Sequence, residues 1–171
     1  MPLKLTPAFE QWFKGSKVVD ASGKPLVVYH GTGGIQSGFS KFQESSEGFF
    51  GSGGIYFTNS PEFADEYANN YDDHQNLMPV YVRILNPYLA TGEENEGMTV
   101  TRAKFLGYDS IIYKSDNASE DIYVAFCPTQ IKSDIGNSGD FDAASPDIRF
   151  SMADVNEVED EAENSTGAPC P

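Results

Sequence analysis

Two short runs of β-forming residues, each joined to glycine, constrain this chain more than any other feature. The first, Val27-Val28-Tyr29-His30, ends abruptly in Gly31-Thr32. The second, Ile55-Tyr56-Phe57-Thr58, is entered through Gly51-Ser52-Gly53-Gly54. β-Branched and aromatic residues in runs this short, bounded by residues that turn the backbone tightly, read as sheet strands. Alternation along the second run puts Ile55 and Phe57 on one face and Tyr56 on the other. A strand that stops at His-Gly presents an imidazole at a sheet edge, beside a backbone open to close approach. Ser60-Pro61 then opens a helix, as cap and first-turn proline, and carries Tyr67 on it. Tyr56 and Tyr67 together offer two rings that can flank a flat ligand. Each feature also has a plain structural reading: a hydrogen-bonded His, a core Tyr, ordinary glycine turns.

The rest of the chain reads as α+β. Thr6-Pro7 opens a helix through Phe9, Trp12 and Phe13 that stops near Gly15. Strands are predicted over residues 17–20 and 26–30, joined by a turn at 21–24, and over 54–58, 80–85, 110–113 and 122–126. A small helix is predicted over 101–106 and an ordered surface loop over 134–149. With 171 residues the chain supports one domain. That domain is expected over residues 1–151, because 152–171 hold Asp154, Glu157, Glu159, Asp160, Glu161 and Glu163 and no base. Such a stretch cannot bury enough surface to offset ordering and reads as a disordered acidic tail. The net charge of −15 disfavours nucleic-acid backbones and anionic lipid as partners. Two distant cysteines, Cys127 and Cys170, exclude a disulfide framework, and Cys127 reads as a buried hydrophobe. Asp72-Asp73-His74 lacks a second ligand cluster, so no metal is expected. No apolar run has the length of a membrane span and Met1–Pro7 lacks a signal-peptide layout, which predicts a cytoplasmic protein.

Seven segments in order carry a resemblance. They are Trp12-Phe13, Ser16-Lys17-Val18-Val19-Asp20, Pro25 through Thr32, Gly54-Ile55-Tyr56-Phe57-Thr58, Gly107-Tyr108-Asp109-Ser110-Ile111-Ile112, Pro128-Thr129-Gln130-Ile131-Lys132-Ser133, and Ser145 through Ser151. The chain resembles the His–Tyr–Glu class of ADP-ribosyltransferases, which includes the poly(ADP-ribose) polymerases and diphtheria-type toxins. It is most similar to the ADP-ribosyltransferase domains of phage and prophage polyvalent proteins, over about residues 8–151. The resemblance implies a split, mainly antiparallel β-sandwich around an NAD cleft, with a few short helices. It implies NAD as substrate and no metal. His30 would hydrogen-bond the adenosine ribose, the Gly31 backbone would pair with the nicotinamide carboxamide, and Tyr56 and Tyr67 would sandwich the nicotinamide. Thr32, Phe57 and Ala64 complete the implied NAD-binding set.

The third position of that class departs from the pattern. Where the polymerases carry a Glu before the last apolar run, this chain has Ile122. Glu120 lies two residues earlier on the same strand face, roughly 6–7 Å away. Asp121 points to the opposite face unless a bulge turns it, and Gln130 offers an amide. Ile122 is favoured, as in relatives that lack the Glu and rely on the acceptor's own carboxylate. The implied activity is mono-ADP-ribosyl transfer from NAD to a macromolecular acceptor, a protein, with release of nicotinamide. It would be carried out by a monomeric, effector-like enzyme in a bacterial host cytoplasm. The alternative is an inactive module that keeps the NAD cleft for binding. Phosphotransfer on a 2′-phosphorylated RNA is a third reading, and it meets only Arg83, Arg102 and Arg149 on a strongly acidic chain.

Overall fold

Helix α1, Pro7–Phe13, begins where Thr6 Oγ1 accepts the Phe9 N–H at 3.2 Å, with Pro7 in the first turn. Gly15, at φ +82°, turns the chain away after it. Phe9, Trp12 and Phe13 are all buried; Phe9 stacks on Phe13 at 5.3 Å and meets Tyr81 edge-on at 4.8 Å. The computed structural model describes residues 6–33, 41–69, 75–91, 97–116, 120–135 and 141–148. The expected acidic tail, the Asp72-Asp73-His74 cluster and Arg149 lie outside them.

The remaining elements are β1 (Val28–Gly33), β2 (Ile55–Thr58), α2 (Pro61–Asn69), β3 (Gln75–Val82), β4 (Pro87–Thr91), α3 (Val100–Phe105), β5 (Ser110–Lys114), β6 (Ile122–Ala125) and β7 (Ile131–Ser133). β4 and β7 escape sequence reading because Pro87 opens one and the other has three residues. The hairpin expected over 17–30 reduces to one bridge, Val19 to Pro25. Its turn is held by the Asp20 carboxylate, which accepts the N–H groups of Ser22 and Lys24.

All seven strands form one hydrogen-bonded sheet in the order β4-β5-β6-β2-β1-β3-β7, a correction to the two packed sheets expected. The split is local instead. β1 pairs with β3 from Val28 to Gly33, and β2 pairs with β6 from Ile55 to Thr58, but β1 meets β2 at one register, Tyr29 opposite Thr58. Two half-sheets therefore diverge from a single shared position. β4 and β5 are the one parallel pair among these ladders, joined through α3.

The core occupies both faces of the sheet. Ile112, Tyr123 and Ala125 pack on one face with Val28, Phe57 and the α1 aromatics. Their strand neighbours Ile111 and Val124 pack on the other with Phe50, Ala90, Val100 and Phe126. Burial on both sides explains why β5 and β6 read as continuous apolar runs rather than alternating ones. The buried Lys132 holds the segment that follows β7, its Nζ donating to the carbonyls of Ser145 and Asp147 at 2.8 and 2.9 Å. Cys127 is buried as expected.

Helix α2 lies across β1, and Gly31 permits the crossing. A Cβ on Gly31 would stand 1.9 Å from the Ala64 carbonyl oxygen, a backbone atom that cannot yield unless the helix moves. Gly31→Ala is therefore expected to cost about 1–3 kcal/mol by overpacking. Urea unfolding should show a lower midpoint at unchanged slope; an unchanged midpoint would mean that α2 slides freely on the sheet.

Candidate active site

Where β1 and β2 separate, the next registers would set His30 opposite Phe57 and then Gly31 opposite Tyr56, and neither pair forms. The His30 side chain takes their place: Nδ1 lies 2.7 Å from the Tyr56 carbonyl oxygen. A carbonyl accepts and cannot donate, so Nδ1 carries the proton and Nε2 is the acceptor in the neutral ring. Phe42 meets the imidazole edge-on at 5.0 Å and Phe57 lies 5.5 Å from it. Burial in this apolar setting holds the His30 pKa below its ordinary 6.5, against the opposing pull of the Tyr56 carbonyl. His30 is thus a neutral, oriented hydrogen-bond acceptor at Nε2, unsuited to work as a cation. Among the described residues, the edge of β1 that faces β2 has no strand partner beyond Tyr29.

An open pocket of about 480 Å³ occupies the split. It is lined by Tyr29, His30 and Gly31 from β1, Tyr56, Phe57 and Thr58 from β2, Phe63, Ala64 and Tyr67 from α2, Glu47, Gly48 and Phe49 from the preceding loop, and Ile122 from β6. Tyr56 and Tyr67 stand on two walls of it. The Tyr56 hydroxyl donates to the Gly51 carbonyl at 2.6 Å and accepts the Phe50 N–H at 3.2 Å. Burial raises the Tyr56 pKa, the Phe50 N–H works against the rise, and Tyr67 adds to it. Tyr56 therefore stays a neutral phenol. Tyr67 is half-exposed at the mouth.

Helix α2 is set by its start. Ser60 Oγ accepts the Phe63 N–H at 3.0 Å, with Pro61 in the first turn. Ala64 and Ala68 then face β1, while Phe63 and Tyr67, four residues apart, share the pocket side. Phe57 borders the pocket but turns its ring into the core, where it supports His30. Thr32 follows on β1, opposite Asn76 of β3.

The candidates for the third position separate cleanly. Ile122 opens β6 opposite Thr58 and lines the pocket. Asp121, 5% exposed, points away: its carboxylate pairs with Lys114 Nζ at 2.6 Å and accepts the Ser115 N–H. Glu120 is exposed before the strand and does not line the pocket. Gln130 sits past the far end of β6, ~13 Å of strand away. Its Oε1 accepts the N–H groups of Phe126 and Cys127, and its Nε2 donates to the carbonyls of Arg83 and Asp109. An amide so fully engaged ties three chain segments together and has no capacity left for a substrate. The sequence reading misses Tyr29, Glu47, Gly48, Phe49, Thr58 and Phe63. Spacing signals two of them, since Thr58 shares a strand face with Tyr56 and Phe63 lies one turn before Tyr67. Among the described residues no group of three or more His, Cys, Asp or Glu could hold a metal ion, and no helix is long and apolar enough to cross a membrane.

A family model described as ADP-ribosyltransferase in polyvalent proteins matches residues 20–141. That span runs from the first turn to the loop after β7 and contains every pocket residue named above. No curated protein matches the chain.

Two outcomes follow from this geometry. Gln130→Ala strands four backbone groups and should lower stability by about 2–3 kcal/mol, read as a lower urea midpoint; an undisturbed midpoint would show that water replaces the amide. His30 binds its proton more weakly folded than unfolded, so its contribution to stability is complete above pH 6.5 and lost as pH falls below that value. Thermal melts between pH 7.5 and 5.5 should fall more steeply for the wild type than for His30→Asn. Parallel curves would contradict the burial of a neutral imidazole.

Proposed function

The chain belongs to the ADP-ribosyltransferases of polyvalent proteins, and on that premise we propose that the pocket between β1 and β2 binds NAD and serves mono-ADP-ribosyl transfer to a protein acceptor, with release of nicotinamide. The observation that carries this reading is the His30–Tyr56 contact at the divergence of the two strands. It couples a polar acceptor to an aromatic wall in one cavity of about 480 Å³, ample for a nicotinamide riboside. Two tyrosine rings and a freed strand edge match the needs of a flat carboxamide-bearing ring: faces to stack on and a backbone donor and acceptor to pair with.

NAD supplies the scissile N-glycosidic bond when bound. His30 Nε2 accepts from a ribose hydroxyl, the edge of β1 at Gly31 pairs with the carboxamide, and Tyr56 and Tyr67 flank the ring. His30 moves no proton in this scheme, so turnover does not follow an imidazole titration. These contacts hold the leaving group while C1′ gains positive charge, which is where differential binding accelerates the reaction. Ile122 fills the place of the strand carboxylate used for chain elongation in the polymerases, and supports transfer of a single unit. The same residue favours the second reading, a module that binds NAD without turning it over. Nicotinamide release from NAD distinguishes the two.

Tyr67→Ala removes a half-exposed ring and should weaken NAD binding by about 1–3 kcal/mol, the scale of a lost stacking partner. Tyr56→Phe keeps the ring and loses the bonds to Phe50 and Gly51, so it should bind NAD nearly as well while loosening the loop. Calorimetric titration checks both; equal affinity of wild type and Tyr67→Ala would remove the stacking claim.

A further inference from the structure

The geometry points to Glu47 as the carboxylate that stabilises the developing positive charge on the ribose, supplied from the loop before β2 instead of from β6. This assignment rests on the NAD reading of the pocket. Of the thirteen described residues that line the cavity, Glu47 is the one that carries a carboxylate. Asp121 is turned away into its pair with Lys114, Glu120 lies outside the cavity, and Ile122 brings no charge. Among the described residues the rest of the lining is aromatic, aliphatic or neutral polar, so Glu47 is the negative partner they offer to a positive centre formed there.

Glu47 is exposed but its backbone is fixed. The Ser45 hydroxyl contacts both the N–H and the carbonyl of Glu47. Ser45 is itself held to the base of the loop, donating its N–H to Gly54 O at 2.8 Å and accepting from Gly53 N at 2.9 Å. Lys104 Nζ fastens the same loop through Glu44 and the Gly53 carbonyl. The next residue, Gly48, lies so close to Tyr56 that a Cβ would stand 2.3 Å from the ring carbon bearing the hydroxyl. Glu47 is thus anchored one residue from the proposed nicotinamide wall. Among the described residues its carboxylate has no hydrogen-bond or ion-pair partner. A carboxylate held at a cavity rim without a cation is available to a substrate that becomes cationic.

In the step it serves, the bond between C1′ and the nicotinamide nitrogen breaks and its electron pair leaves with that nitrogen, which becomes neutral. The positive charge passes to C1′ and the ring oxygen, facing Glu47. Water, or the acceptor nucleophile, then adds at C1′ and releases its proton to solvent. Glu47 forms no covalent bond and keeps its charge throughout.

The test uses the full chain with NAD and no acceptor. Glu47→Gln should slow nicotinamide release by about 10²–10³-fold and change NAD affinity, measured by calorimetry, by less than about threefold, since the charge acts in the transition state. Glu47→Asp should recover part of the rate. Glu47→Gln turning over within twofold of the wild type while NAD still binds would overturn the assignment and leave the NAD site standing, as would a wild type that binds NAD without cleaving it. Absence of NAD binding to the wild type would overturn both the assignment and the reading it rests on.

Discussion

The hydrogen bond from His30 Nδ1 to the Tyr56 carbonyl sits at the point where a continuous sheet comes apart, and the pocket exists because of it. Separating two strands exposes backbone groups that would otherwise pair, and a buried carbonyl left unpaired costs on the order of 1–3 kcal/mol. The imidazole satisfies the Tyr56 carbonyl and so lets β1 and β2 part after a single shared register. The same bond settles which nitrogen of the ring faces the cavity as an acceptor. It also ties the backbone of Tyr56 to the strand that carries Gly31. One contact therefore shapes the cleft, orients its polar group and connects its aromatic wall.

Around that point the other constraints fall into place through small residues. Gly31 lets α2 cross β1 closely enough for Phe63 and Tyr67 to reach the cavity, and Gly48 lets the loop before β2 lie on the Tyr56 ring. Neither role depends on a positive φ; both depend on the absence of a Cβ. Gly51 and Gly53, at φ +83° and +87°, supply the turns that bring this loop back. The glycines thus locate the walls of the site, while Phe42 and Phe57 pack against His30 beneath.

Much of this architecture is written locally. The caps at Thr6 and Ser60, the prolines after them, and the apolar runs of β2, β5 and β6 act over a few residues, so neighbouring side chains specify them wherever the segment ends up. His30 and the two tyrosines were likewise visible as candidates, but the strand expected to stop at His-Gly runs on to Gly33, because β3 pairs with it through Gly31 and Thr32. What escaped were elements defined by their partners: β4 and β7 pair at the two edges of the sheet with little sequence pattern of their own.

The sequence by itself determined the α+β class, the two glycine-bounded strands, the helix bearing Tyr67, and the family resemblance that rests on seven ordered segments. Tertiary structure decided everything that depends on which side chains meet. It made one sheet where two were expected, because a single Tyr29–Thr58 register suffices to join the halves. It turned Gln130 into a clamp on four backbone groups, because the end of β6 arrives between Arg83 and Asp109. It took Asp121 out of the pocket by pairing it with Lys114, and it brought Glu47 in. Spacing along a chain encodes contacts of three or four residues' reach. A carboxylate seventy-five positions from Ile122 joins the same cavity only through the long-range register of the sheet.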